Sequence, residues 1–270
     1  MEEENNILNR SIMISPLAYV DPAAKLGKNV TVQPFAYIEG DVEIGDDCVI
    51  MAGAHILNGT RMGRKNTVHH GAVLASIPQD FHYTGEESLL VIGDNNDIRE
   101  NVVIARATHK EGGTSIGNGN FLMDGTHLCH DVHIGNKCVL GIRSMVAGES
   151  QVDDCTILSS NVIVQQKCHI GSWVLIQSGC RISKDVPPYI IMAGNPVQYH
   201  GINAVVLQNA QNESHITDRI LRHIMNAYRL VYQGNFSLQD AVLKIEDQIP
   251  MSDEIHNIVN FIKNSKGIVR

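Results

Sequence analysis

The sequence predicts a mainly β protein, a parallel β-helix of hexapeptide repeats that gives way to an α-helical segment at its C-terminal end. Three observations predict it. An aliphatic residue recurs every six positions, a small residue recurs four positions after it, and past about residue 200 the spacing changes to three and four.

The aliphatic register runs from Val20 through Leu26, Val32 and Ile38 to Leu74, resumes at Ile92, Ile98 and Ile104, and continues from Ile116 to Ile182. Six residues is the period of neither an amphipathic helix nor a single hairpin. It is the period of a solenoid in which each hexad supplies one short strand and one turn, its aliphatic side chain pointing into the stack. Three hexads close a triangular coil, so residues eighteen apart stack at a strand spacing of about 4.8 Å. The accompanying Ala24, Val30, Ala36, Val42, Cys48 and Ala54 are small enough for the crowded turn side. The general preference of parallel crossovers is right-handed, and nothing in the spacing opposes it.

Residues 75–91 and 107–115 interrupt the register and read as excursion loops, the usual place for binding groups on a rigid scaffold. The repeat ends in the stretch 185–198, so residues 14–198 are assigned to the β-helix and 199–270 to a C-terminal α-helical domain. There Ile216, Ile220, Ile224, Tyr228 and Val231 fall on one helical face, Ala241, Ile245 and Ile249 on another, and Ile255, Ile258, Val259 and Ile262 on a third. Gly234 and Pro250 separate them.

Of 270 residues, 43% are hydrophobic, 19% charged and 5% aromatic, and the formal net charge is -8. That excludes a disordered chain, and a negative balance with few rings for stacking argues against nucleic acid or an anionic membrane as partner. No apolar run approaches the roughly 20 residues of a membrane helix, and the opening MEEENN is unlike an export signal, so no membrane insertion and a cytoplasmic location are expected. In that reducing setting the six cysteines imply no disulfide framework. Lacking a CxxC spacing, they read as small buried side chains.

The candidate chemistry lies in LMDGTHLCHDVHIGN, which spaces His127, His130 and His133 by three. Leu128 takes the inward position, so His130 and Asp131 fall at a corner, facing away from the stack. A carboxylate beside an imidazole fixes its tautomer and raises its basicity. On the eighteen-residue ladder, His130, Gly148 and Gln166 form one column. A glycine above a base lets a ligand approach the backbone, and its N–H can serve an oxyanion. The set suits acyl transfer to a hydroxyl. Two other readings stand beside it: zinc held by histidines across a subunit interface, as in trimeric β-helices resembling the gamma-class carbonic anhydrases, and a structural scaffold with no activity.

The motifs QDFHYTGE (79–86), IRENVVI (98–104), LMDGTHLCHD (122–131), DVPPY (185–189), AGNP (193–196) and GIN (201–203) closely resemble those of the acyl-carrier-protein–UDP-N-acetylglucosamine O-acyltransferase family, which starts lipid A synthesis. The likeness runs over nearly the whole chain. It implies a left-handed parallel β-helix with a C-terminal α-helical domain, and transfer of a (R)-3-hydroxyacyl chain from acyl carrier protein to the sugar 3-hydroxyl of UDP-N-acetylglucosamine. Carried over by position, His130 is the base, Asp131 its supporting carboxylate and the Gly148 N–H the oxyanion donor. His127 contacts the sugar, and Gln166 is a further substrate contact. Gln79, Asp80, Phe81 and His82 belong to a loop that holds nucleotide or sugar from a neighbouring subunit. Leu175, Gln177 and Ser178 fall where acyl length is measured. The resemblance implies a homotrimer with three interfacial sites and no metal or organic cofactor.

The chain departs from the family where Ala105, Glu149 and Gln165 replace histidines, where Asn209 and Ala210 replace an arginine pair, and where His82 replaces a lysine. Arg219, Arg222 and Arg229 share a helical region and read either as a solvated face or as a dock for the acidic carrier protein. His133 and His169 read as surface residues. A related N-acyltransferase acting on a UDP-amino-sugar is the alternative within the same mechanistic class; such relatives carry an extra N-terminal uridine-binding domain, and the hexads here begin by residue 20.

Overall fold

The computed structural model describes residues 13–209 and 216–270. Within them the hexads build a triangular prism with three walls. The first wall has 11 strands, from Met13–Ile14 to Gln198–Ile202. The second has 9, from Tyr19–Val20 to Arg181–Ile182, and the third has 8, from Lys25–Leu26 to His169–Ile170. Pairing is parallel until the last step, where Ile190–Ala193 meets Gln198–Ile202 antiparallel.

Regular coils advance by eighteen residues, as in Met13 opposite Thr31 and His127 opposite Met145. Thr67 instead faces Asp97, and Asp97 faces Phe121, so the two excursions lengthen their coils to thirty and twenty-four residues. The register is recovered after each because the inward aliphatic residues must return to the core. Ile38, Ile56, Leu74, Ile98, Leu122, Leu140 and Ile176 are completely buried. Each such side chain contributes about 1.5–3 kcal/mol.

The coils wind left-handed, as the resemblance implies and against the general rule for crossovers. That rule describes a helix packed back onto a sheet, whereas here the crossover is another strand of the same prism. A residue in the left-handed region makes most corners, among them Asn29, Asp47 and Asn95 with φ between 58° and 60°. Asn and Asp tolerate this conformation best after glycine.

The small positions are filled as expected by Val30, Ala36 and Cys48, but three hold asparagine. Asn66 Oδ1 accepts from the Asn96 backbone N–H at 2.8 Å and from its Nδ2 at 2.9 Å, and Asn96 Oδ1 does the same for Asn120 at 2.9 and 3.0 Å. This ladder satisfies buried amides from coil to coil. Of the cysteines, Cys48, Cys138, Cys168 and Cys180 are buried, whereas Cys129 and Cys155 are only half-buried. Burial pushes the Cys138 thiol up to about 12.

The C-terminal segment carries helices α1 (Ala204–Asn209), α2 (Asp218–Tyr232), α3 (Leu238–Gln248) and α4 (Asp253–Asn264). Thr217, Ser237 and Ser252 cap α2, α3 and α4 by accepting from the first-turn amides. The DVPPY segment is the seam with the prism: Tyr228 Oη donates to Pro188 O at 2.5 Å, Asn257 Nδ2 to Tyr189 Oη at 3.0 Å, and Ser265 Oγ to Asp185 Oδ2 at 2.6 Å. His169, expected at the surface, is half-buried at this seam, with its ring 4.5 Å from that of Phe261. No helix among the described residues is long and apolar enough to cross a membrane.

Candidate active site

His130 stands at the corner between the second and third walls, after His127–Leu128 and before His133–Ile134. The next residue, Asp131, has φ +57°, and this turn brings two consecutive side chains together. His130 Nδ1 lies 2.8 Å from Asp131 Oδ2, and the residue is only 8% exposed.

The second excursion then fixes the carboxylate. Asp131 accepts from Thr108 N–H at 3.1 and 3.3 Å and from Thr108 Oγ1 at 2.7 Å, while its own N–H donates to Thr114 Oγ1 at 2.9 Å. Burial pushes the Asp131 carboxyl up, but the hydrogen bonds from His130 and Thr108 outweigh it, so the group lies below the usual carboxylate range. A carboxylate held ionised keeps the proton on Nδ1 and leaves Nε2 with a free lone pair.

The first excursion faces the other ring nitrogen. Asp80 Oδ2 is 3.4 Å from His130 Nε2, and Asp80 Oδ1 accepts from His82 N–H at 2.7 Å. The sequence reading assigns this loop to a neighbouring subunit's site; the fold brings Asp80 to the histidine of its own chain. Arg106 pins the loop, donating from Nη2 to Tyr83 Oη at 2.9 Å and from Nη1 to Asn58 O at 3.1 Å. Gln79, Phe81 and His82 are exposed, Phe81 completely so.

Gly148 lies on the imidazole from the next coil, and a Cβ there would meet the ring at Cε1 and both nitrogens. Its N–H opposes the upward push of burial on the Cys129 thiol. Sulfur is a weak acceptor, so this N–H is open to a better one. Gln166, one coil further, donates from Nε2 to Glu149 Oε1 at 3.0 Å, and Lys167 Nζ sits 3.4 Å from Glu149 Oε2. The carboxamide of the column is thus tied sideways to Glu149. His127 is half-buried on the second wall, and burial lowers its pKa.

Other singled-out residues fall elsewhere. Ala105 is buried, and Gln165, with its amide turned to satisfy both groups, accepts from Arg181 Nη2 at 2.9 Å. Leu175 is in the first wall, and Gln177 and Ser178 are exposed at the corner between the first and second walls, a different edge of the prism from His130. Arg219, Arg222 and Arg229 are exposed on α2. Ala210 lies outside the described residues. The zinc reading draws its histidines from two subunits; within one chain His127, His130 and His133 occupy two walls and the corner between them, and His133 Nδ1 is 2.8 Å from Ser115 Oγ. The sequence reading passed over Thr108, Thr114 and Arg106. Thr114 follows from the small-residue register, but Thr108 and Arg106 sit in or beside an excursion that no period describes.

A left-handed prism of hexads with an imidazole–carboxylate pair on one corner defines a hexapeptide-repeat acyltransferase. A model of the bacterial transferase hexapeptide matches residues 23–58 and 41–76, and one described as UDP N-acetylglucosamine O-acyltransferase, domain 2, matches residues 185–269. Among solved structures, the UDP-N-acetylglucosamine acyltransferase from Bacteroides fragilis is 48% identical, with 96% of this chain and 100% of that one covered and a TM-score of 0.92. That from Francisella novicida is 31% identical over 96% of this chain and 94% of that one, with a TM-score of 0.87. The Acinetobacter baumannii enzyme is 29% identical over 96% and 100%, with a TM-score of 0.89. The chain belongs to the UDP-N-acetylglucosamine O-acyltransferase family.

Proposed function

We propose that the protein transfers a (R)-3-hydroxyacyl chain from acyl carrier protein to the 3-hydroxyl of UDP-N-acetylglucosamine, opening lipid A synthesis in the cytoplasm. The observation that carries the mechanism is the His130–Asp131 pair with Gly148 stacked on it. Asp131 holds the Nδ1–H, and Nε2 takes the proton of the attacking hydroxyl. The hydroxyl oxygen bonds to the thioester carbonyl carbon, whose oxygen becomes an oxyanion that the Gly148 N–H stabilises. Collapse breaks the C–S bond, and the imidazolium returns its proton to the leaving sulfur. The thioester is already activated, so these groups complete the step without a cofactor. Asp80, beside Nε2, is placed to bind a sugar hydroxyl as it enters.

The active unit in this reading is a homotrimer. Phe81 and Ile77 project bare from the first excursion, and Met145 and Ile163 are exposed on the second wall, apolar area that a second copy would cover. The acyl contacts at Leu175, Gln177 and Ser178, remote from His130 on one chain, would then come from the adjacent subunit. The exposed Arg219, Arg222 and Arg229 offer positive charge to an acidic carrier protein. Gln79, His82, His127 and Gln166 would line the sugar nucleotide.

The test is an acyl-transfer assay with UDP-N-acetylglucosamine and 3-hydroxyacyl carrier proteins of graded length. Wild type forms product with at least one length, and His130→Ala loses about 10²–10⁴-fold in kcat. No product at any length would sink the substrate assignment; full activity in the variant would sink the mechanism.

A further inference from the structure

On the corner between the first and second walls, a different edge of the same chain from His130, His69, His70 and Glu100 each place a ligand atom within 4.8 Å of the others. His69 Nδ1 is 3.3 Å from Glu100 Oε1, and His69 Nε2 is 2.7 Å from Asp97 Oδ1. We infer that His69, His70 and Glu100 hold one borderline divalent cation, for which Zn²⁺ is the best match, with Asp97 orienting His69 from behind.

Three features carry this. Two imidazoles and one carboxylate are a donor set that zinc favours, with a fourth position left to water. Ligands about 2.0–2.1 Å from a tetrahedral ion lie about 3.3 Å from one another, which is the separation of His69 Nδ1 and Glu100 Oε1. The opposite ring nitrogen of a ligating histidine usually donates to a carboxylate, and Asp97 Oδ1, buried without a hydrogen-bond partner, lies 2.7 Å from His69 Nε2 and is placed to take that role once the ring is oriented.

The backbone under these side chains is already fixed. His69 N–H donates to Ile98 O at 2.8 Å, and Asn101 N–H to His70 O at 3.0 Å, so the two coils are in register before any ion arrives. Arg99 grips Glu100 through Nε to Oε2 at 3.1 Å and Nη2 to Oε1 at 3.3 Å, which orients the carboxylate but makes the guanidinium a competitor for Oε1. The His69–His70 corner leads into Val73–Ser76, from which the first excursion leaves, and Glu100 leads into Val103–Ala105, from which the second leaves. An ion here would clip together the two coils that carry the loops bearing Asp80 and Thr108.

The experiment uses untagged full-length protein freed of metal by a chelator, titrated calorimetrically with Zn²⁺ and spectroscopically with Co²⁺. Wild type should bind one ion per chain, give the visible absorption of tetrahedral Co²⁺, and melt at a higher temperature with Zn²⁺ than without. His70→Ala, at an exposed position that does not threaten folding, should weaken binding at least tenfold and abolish the thermal shift. Asp97→Asn should weaken binding by about 10–100-fold. Absence of saturable binding in wild type would overturn the inference and leave His69 as the centre of a plain ion-pair cluster. So would binding that survives His70→Ala unchanged, or that His130→Ala abolishes instead.

Discussion

His130 and Gly148 are stacked so closely that a Cβ on residue 148 would lie 2.6 Å from the imidazole Cε1 and 2.8 Å from Nε2. The ring cannot simply retreat, because Nδ1 is bound to Asp131 and the side chain is buried. Gly148→Ala is therefore expected to turn the base away from its line of attack while the coil still folds. kcat should fall about 10²-fold with KM nearly unchanged, and circular dichroism should match wild type.

Thr108 acts through Asp131 and is a positioning residue. Thr108→Val keeps the shape and removes the hydroxyl donor, leaving the Thr108 backbone N–H and His130 Nδ1 on the carboxylate. Loss of one hydrogen bond to a charged group should lower kcat about tenfold and shift the acid limb of the pH–rate profile. Thr108→Ser should restore both. A variant that lowers stability without moving the pH profile would make the hydroxyl merely structural.

The lowered pKa of Asp131 predicts an acid dependence of stability. In the unfolded chain the carboxyl titrates near its ordinary value of about 3.9, and in the folded chain it titrates lower. Between those values the unfolded state binds more protons, so the stabilisation present above about pH 4 is lost as pH falls through the folded value. Denaturant midpoints measured across this range should fall more steeply for wild type than for Asp131→Asn.

Asp80 stands where the acceptor hydroxyl must approach Nε2. Asp80→Ala leaves the His130–Asp131 pair intact but removes a charged partner for the sugar. KM for the sugar nucleotide should rise about tenfold, with a smaller change in kcat. An unchanged KM would remove Asp80 from the binding site.

The asparagine ladder predicts a stability effect separable from chemistry. Asn96→Ala leaves the Asn120 backbone N–H without its acceptor inside the prism and takes one of two partners from Asn66 Oδ1 and from Asn120 Nδ2. Each buried group left unpaired costs about 1–3 kcal/mol, so the unfolding midpoint should drop clearly while kcat of the folded enzyme holds.

What the sequence determined by itself is whatever a period can carry. Alternating burial on a six-residue repeat dictates which side chains enter the core, and three repeats per coil dictate which residues stack. That is why the walls, the corner position of His130 and its contact with Gly148 were all legible, and why Asp131, as the next residue, came with them. Tertiary structure alone decided what the two excursions do, because a loop thrown out of the lattice has no register. Asp80 reaches His130, Thr108 reaches Asp131 and Arg106 reaches Tyr83 through hydrogen bonds and charge contacts between distant segments, which no spacing encodes. The same holds for Gln166, whose place in the column was readable but whose amide is drawn aside by Glu149. Repetition specifies a scaffold to within a coil; the chemistry is set where the chain stops repeating.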